Sequence, residues 1–457
     1  MARGKKTAKS LTPEQKLEQA LVPVDEQLYR IPKNWCWTTL GTVAQWGSGG
    51  TPSRKNSEYF KGNILWVKTG ELNDGYIYDT EEKITDEAIS HSSAKLFPPN
   101  TVVIAMYGAT IGKVGILGTE ATTNQACACG VCSKILNYIY LFYYVRLQKD
   151  AFIGKSKGGA QPNISQDVIK RHAIPLAPLA EQQRIVDHIE RLFVKLDGVK
   201  EKVQAVVDSF ELRKSAVLHK AFAGHLTIEW ARGHGGELDS WERVELADVC
   251  VVNPKKIDMT ELPDDLEVSF FPMSVLSEIS GEIITPQTKP LKEVRTGFTN
   301  FAEGDVVFAK ITPCMENGKS AVIGKLVNDI GFGSTEFYVF RCRPQLYNRY
   351  LYHLFRDKHF RDEAKSVMAG AVGQQRVPKS FLVKYPLNLP SVSEQKEIVR
   401  ILDIMFTKEL KIRELSKAVL DQITTMKKSI LSRAFRGELG TNDSAEECAV
   451  ELLKTIL

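Results

Sequence analysis

The sequence contains no run of eighteen or more consecutive apolar residues, so no membrane span is expected. Its first ten residues, MARGKKTAKS, are basic but have no apolar stretch behind them, which argues against a secretory signal. A phosphate-binding loop is also missing. In AKITPCMENGKSA, Gly318-Lys319-Ser320 would need a glycine at position 313, and that residue is proline, which has no N–H to offer a phosphate. The eight cysteines are scattered apart from Cys127, Cys129 and Cys132, and no His or Cys pair lies nearby to complete a four-ligand metal site. Buried thiols in a reducing, cytoplasmic setting are expected instead. No glycine-rich methyl-donor loop with an N-P-P-[YF] partner is present, Phe97-Pro-Pro-Asn100 being the nearest string. H-E-x-x-H, G-x-S-x-G and a two-carboxylate-plus-lysine nuclease cluster are absent too. No catalytic residue, bound metal or bound cofactor is therefore expected. Strong charge of one sign is lacking as well: 60 Lys and Arg against 55 Asp and Glu leave +5, which permits a polyanionic partner without requiring one.

What is present is a repeat. A shift of 213 residues lays Glu181–Leu226 on Glu394–Leu439 without a gap. Sixteen positions are then identical, among them Glu181, Gln182, Phe193, Lys214, Phe222 and Gly224, where chance gives about three. Both segments read as long helices. The first has apolar residues at Ile185, Ile189, Leu192, Leu196, Val199, Val203, Val206 and Phe210, alternating four and three apart. The second repeats the phase from Ile398 to Ile430, with Glu409 and Ser416 interrupting it. This is a heptad seam, and each segment stops at a glycine, Gly224 or Gly437. The simplest way to bury two such stripes is to pack them on each other; pairing with another subunit is the alternative.

The blocks before the helices are related more distantly. Asn34–Ala44 resembles Ser240–Cys250, Asn100–Leu117 resembles Gly304–Leu326, and Gly158–Ile169 resembles Gly370–Phe381. They read as mixed α/β, with short β-branched runs between Gly, Asn and Pro turns. The expected fold is thus α/β with two pseudo-repeats, each a mixed α/β domain followed by a long helix, the helices forming an antiparallel coiled coil. The expected boundaries are an arm over 1–30, a first domain over 31–177, a first helix over 178–226, a linker and second domain over 227–389, and a second helix with tail over 390–457. The polar loops have diverged most, which suits two heads that read different things.

With IPKNWCWTTLGTVAQWGSGGTPSR, two PL-EQ-IV helix openings, AFRGEL with its twin AFAGHL, VVFAKITPCMENGK and GGAQPNIS in one order, the chain resembles the specificity (S) subunits of type I DNA restriction–modification enzymes. The resemblance covers essentially the whole chain. It implies that each α/β block is a target-recognition domain reading one half of a split site in double-stranded DNA. It also implies that the helices set the spacer and dock two methyltransferase (M) subunits and the restriction (R) subunits. S-adenosylmethionine, ATP and Mg would then belong to those partners, and the location would be cytoplasmic, away from membranes. A DNA-reading subunit of another methylation or phage-defence complex would look the same, and a protein-binding coiled-coil scaffold is a third reading.

The loops supply candidate DNA contacts by their chemistry. In the first domain these are Gly50, Thr51, Ser53, Arg54 and Lys55 of a glycine-rich turn, then Lys68, Thr69, Tyr107, Thr110, Asn124, Gln125, Gln161 and Asn163. In the second they are Lys310, Thr312, Asn317, Lys319, Gln374, Gln375 and Arg376. Lysine and arginine suit phosphate or guanine, and amide side chains suit adenine in the major groove. Against each stands the plainer reading that Gly-Lys closes a turn and that loop Asn and Gln shape the backbone.

Overall fold

Short β-branched runs and two proline-free helical segments set the architecture. A computed structural model describes residues 12–156, 162–234, 241–278, 281–371 and 373–457. The chain divides into two compact units, Met1–Lys202 with Val419–Leu457, and Val203–Ala418. Each therefore holds one α/β domain, part of its own helix and part of the other long helix.

In the first unit a five-stranded sheet runs in the order Ala44–Ser48, Cys127–Cys132, Val102–Ala105, Val114–Leu117, Tyr76–Ile77. Val102–Ala105 is buried at every position, as expected of a β-branched strand covered on both faces. Beside it stands a three-stranded sheet of Lys83–Ile84, Ile64–Val67 and Thr122–Thr123. Cys127 and Cys129 are buried in the strand, and burial pushes the Cys129 thiol up to about 12, so these are unreactive core thiols. The second unit has two four-stranded sheets. One is ordered Cys250–Val252, Phe337–Cys342, Val306–Ala309, Ser320–Val322; the other is Gln287–Pro290, Glu267–Phe271, Gly331–Gly333, Thr299–Phe301.

The two domains are closed in the same way. Cys36–Thr39 pairs antiparallel with Ala173–Leu176, the strand that feeds the first long helix, and Glu242–Glu245 pairs with Pro386–Leu389 ahead of the second. The repeated Glu-Gln then locks each helix to its domain. Gln182 is fully buried; its amide donates to the carbonyls of Ile135 (3.0 Å) and Ala177 (2.9 Å) and accepts from Asn137 N–H (2.9 Å). Gln395 does the same with Gln345 (2.8 Å), Pro390 (2.9 Å) and Tyr347 N–H (2.7 Å). Glu181 accepts from the Trp35 indole at 2.7 Å and from Asn442 at 2.9 Å; Glu394 accepts from the Trp241 indole at 3.1 Å and from Thr227 at 2.7 Å. Buried polar groups need partners, and this need is the physical reason these residues recur in both copies.

The first long helix departs from the expected single rod. It comprises Leu179–Asp208 and Phe210–Phe222, interrupted at Ser209. There the Ser209 hydroxyl donates back to the carbonyls of Ala205 (2.9 Å) and Val206 (3.1 Å), and Arg213 also donates to Val206 O (3.2 Å). A mid-helix serine that back-bonds in this way loosens the ladder. The second helix, Val392–Ala434, is continuous. Both stop as expected: Gly224 (φ +77°) and Gly437 (φ +73°) take left-handed backbone, and the next residues, His225 and Glu438, bond back to Lys220 and Arg433 at 2.9 Å.

The two helices pair within each unit. Arg213 grips Glu409 with two bonds of 3.0 and 2.8 Å while Arg413 lies 5.3 Å over the Phe210 ring, so the direction is antiparallel. In the other unit Lys427 meets Asp197 at 2.5 Å and the Phe193 ring at 4.8 Å. The seam is thinner than a full heptad pattern suggests. Ile185, Ile189, Ile398 and Leu402 are buried, but Val199, Val206, Ile412 and Met426 are 40–51% exposed. Two helices cover one narrow stripe, and residues that drift off it stay in water.

Candidate nucleic-acid interface

In the first domain the strand ends gather the candidate loops. Gly50 N–H donates to Thr123 O (3.0 Å), and Asn124 N–H to Val67 O (2.9 Å). Met106 N–H reaches Ala126 O (2.8 Å), and Gly108 N–H reaches Pro162 O (2.8 Å), beside a bridge between Tyr107 and Asn163. The Thr51 hydroxyl donates to the Gln125 amide oxygen. Residues from four loops and the end of the strand Ile64–Val67 are thus joined.

Not all of them face outward. Gly49 and Gly50 are buried because the chain's own backbone passes close: a Cβ at Gly49 would lie 1.8 Å from Thr123 O, and one at Gly50 2.5 Å from Ala94 N. Asn124 shapes a turn, its side-chain oxygen accepting from Ala126 N–H at 3.1 Å. Thr69 opens the short turn Thr69–Glu71, and the Thr110 hydroxyl is spent on Tyr107 O at 2.8 Å. Thr51, Ser53, Arg54, Lys55, Tyr107, Gln125 and Asn163 are exposed. Gln161 lies outside the described residues.

The charge pattern has a feature the sequence did not reveal. Arg54 bonds Glu82 at 2.5 Å and stacks over Phe60 at 4.2 Å; Lys68 bonds Glu81 at 2.7 Å and Glu82 at 3.0 Å. The Arg54 hydrogen bond holds the Glu82 carboxyl below its ordinary range. This network orders two long cationic side chains before any ligand arrives.

The second domain repeats the plan with other side chains. A bridge joins Ile311 to Arg376, Thr312 N–H donates to Gln375 O (3.0 Å), and Val377 N–H donates to Lys310 O (2.9 Å). Arg376 makes a two-pronged pair with Glu336 at 2.9 and 2.8 Å, and this bonding lowers the Glu336 pKa. Lys310 donates to Thr335 O at 2.8 Å and lies 5.3 Å over the Tyr338 ring. Gln374, Arg376 and Asn317 are exposed, whereas Gln375 is half-buried and Lys319 turns inward, donating to Met273 O at 3.2 Å and facing Glu278 at 3.6 Å. The turn Ser334–Glu336 belongs to this edge and was missed. It occupies the place of Asn124–Ala126: Ser334 Oγ accepts from Glu336 N–H (3.2 Å), as Asn124 accepts from Ala126. The signal was available in two turn residues, each three positions before an apolar strand. Among the described residues no group of three His, Cys, Asp or Glu could hold a metal ion, and no helix is long and apolar enough to cross a membrane.

A family model for the type I restriction modification DNA specificity domain matches residues 32–207 and again 239–422. The specificity subunit of the type I restriction enzyme EcoAI from Escherichia coli is 40% identical over 162 residues, 35% of this chain and 27% of that protein. The match therefore spans about a quarter of that relative's length. The StySPI specificity subunit of Salmonella potsdam is 21% identical over 432 residues, covering 91% and 92% of the two chains. Two solved chains share the fold at 19% identity. One, from a structure of complex assembly and conformational transition in a type I R-M system, has a TM-score of 0.68 over 90% of this chain and 100% of that one. The HsdS subunit from Thermoanaerobacter tengcongensis has a TM-score of 0.58 over 91% and 100%. With both domains and most of both long helices inside the matched residues, the chain belongs to the family of type I restriction modification DNA specificity proteins.

Proposed function

We propose that this chain is the sequence-reading, non-catalytic subunit of a type I restriction–modification complex, each domain reading one half of a bipartite site in double-stranded DNA. The observation that carries this reading is the contrast between the two copies. The Glu-Gln anchor, the closing strand pair and the bridge at the loop edge recur, while Tyr107 and Asn163 in one copy give way to Ile311 and Arg376 in the other. A common scaffold presenting different donors and acceptors is what two unlike half-sites require.

By chemistry and exposure, Thr51, Ser53, Arg54, Lys55, Tyr107, Gln125 and Asn163 are proposed to face DNA in the first domain, and Asn317, Gln374 and Arg376, with the half-buried Lys310, in the second. Lys68, Thr69, Thr110, Asn124, Thr312, Lys319 and Gln375 support these loops, and Gly50 allows the close backbone approach. The long helices set the distance between half-sites, and their exposed apolar positions dock two methyltransferase subunits and the restriction subunits. S-adenosylmethionine, ATP and Mg belong to those partners. Exchanging residues 31–177 for the corresponding block of another family member tests the reading. One half-site should change while the other half-site and the gap stay, and a change in both halves would refute it.

A further inference from the structure

The Gly-Lys turn that mimics a phosphate loop borders a recess rich in cations. Within the unit Val203–Ala418, Gly318 (φ +69°) forms one wall of a recess of about 260 Å³. Lys214, Arg356, Arg361 and Arg413 also line it. The Lys214 side chain is only 11% exposed, and the nearest carboxylate oxygen, on Glu211, is 4.0 Å away. Lys214 makes no hydrogen bond among the described residues. Arg361 donates one terminal N–H to Glu316 O, but its Nε is buried without a hydrogen-bond partner. The other two lining carboxylates are engaged: Glu316 by Lys365 (2.5 Å), while Glu278 faces Lys319 (3.6 Å). Burial, with Arg356 close by, holds the Lys214 pKa down to about 8.

The other unit shows what is missing. There Gly112 (φ +74°), Arg146 and Lys427 line a recess of about 450 Å³, and Lys427 is the repeat counterpart of Lys214. In that recess three of the five lining cations have carboxylates: Lys427 holds Asp197 at 2.5 Å, Arg146 meets Asp74 at 3.3 Å, and Lys428 meets Asp150 at 3.1 Å. The same shift of 213 residues carries Asp197 onto Leu410. Leu410 adjoins Glu409, which is already committed to Arg213. The duplicated lysine has kept its place but exchanged an ion pair of 2.5 Å for a carboxylate 4.0 Å away, on Glu211 of its own helix. A nearly buried cation with no hydrogen bond and only a distant carboxylate is costly, and a bound anion relieves that cost.

We propose that the recess around Lys214 binds the phosphate group of a small molecule, inorganic phosphate or a nucleotide's phosphate, between the Lys214 ammonium and the Arg361 guanidinium. A duplex backbone, carried on a wide convex surface, does not enter a recess of this size. This site is therefore separate from the loop edges assigned to DNA and does not depend on that reading.

The test uses the full chain at constant ionic strength near pH 7, exchanging chloride for inorganic phosphate or for a nucleoside monophosphate, with the bare nucleoside as control. Melting temperature and calorimetric binding are read together. The wild type should show a saturable upward shift with phosphate. Lys214→Met should lose that shift while melting at least as high in chloride, since a weakly paired, nearly buried charge is gone. Leu410→Asp, which supplies the carboxylate found in the other copy, should also lose it, and Lys427→Met should keep it. Stronger binding of the monophosphate than of phosphate would assign the site to a nucleotide, and equal binding to phosphate itself. No saturable response in the wild type, or the same response in Lys214→Met and Leu410→Asp, overturns the proposal.

Discussion

Replacing Gln182 with leucine removes one side chain and strands three backbone groups. Asn137 N–H loses its acceptor at 2.9 Å, and the carbonyls of Ile135 and Ala177 lose donors at 3.0 and 2.9 Å. Gln182 is fully buried, so water does not readily replace these bonds. At about 1 kcal/mol for each stranded group, the loss is about 3 kcal/mol. That corresponds to a roughly hundredfold drop in hydrogen-exchange protection wherever exchange proceeds through opening of this unit. Exchange followed by mass spectrometry should place the drop in peptides from the strand Ala173–Leu176, the helix Tyr138–Leu147 and the start of the long helix. Gln395→Leu, which strands Tyr347 N–H and the carbonyls of Gln345 and Pro390, should produce a matching loss confined to peptides of the other unit. A drop below about fivefold in either variant, or an equal loss in both units from one substitution, would refute the view that each Glu-Gln pair anchors its own domain.

Arg376→Ala should weaken DNA binding by about 1–3 kcal/mol and relax one half-site only, read by selection on randomised duplexes with the methyltransferase partner present. Inserting one heptad into each long helix, about 10 Å of rise, should widen the gap by about three base pairs with both half-sites intact, read by the same selection. His172 is buried, and burial, with Lys155 beside it, lowers its pKa to about 4. The folded value lies below the unfolded one, so this contribution is full above pH 6.5 and is lost as pH falls toward 4. The slope approaches about 1.4 kcal/mol per pH unit and should vanish in His172→Phe, measured by urea unfolding at pH 7.5 and 5. Gly437→Ala should destabilise the helix stop by more than about 1 kcal/mol, since φ is +73° there and the new Cβ would sit 2.3 Å from Pro32 Cγ; thermal unfolding reads this.

The sequence carried the duplication because the groups that tie helix to domain are buried and polar, and burial leaves them few substitutes. Glu181, Gln182, Glu394 and Gln395 stood out for that reason, and Gly224 and Gly437 because their left-handed backbone excludes side chains. The loops were less legible. Glu82 and Glu336 hold Arg54 and Arg376, yet they lie 28 and 40 residues away in the chain, and no local pattern announces such a pair. The same is true of Gly49 and Gly50, whose partners Thr123 and Ser93 come from other segments. The Ser209 interruption was invisible to a periodicity argument, because the apolar spacing continues through it and only the serine's back-bonding breaks the ladder. Lys319 read as a loop cation by composition, but Met273 and Glu278 draw it inward.

Two-headed DNA reading is tested most directly by selection from a randomised duplex pool, using this chain co-expressed with a type I methyltransferase subunit. Two short, unlike motifs separated by one fixed gap should be enriched, with affinity falling steeply between low and moderate salt. Recovery of a single contiguous motif, or of no motif at low salt, would contradict two-headed reading and favour a coiled-coil scaffold that binds only protein.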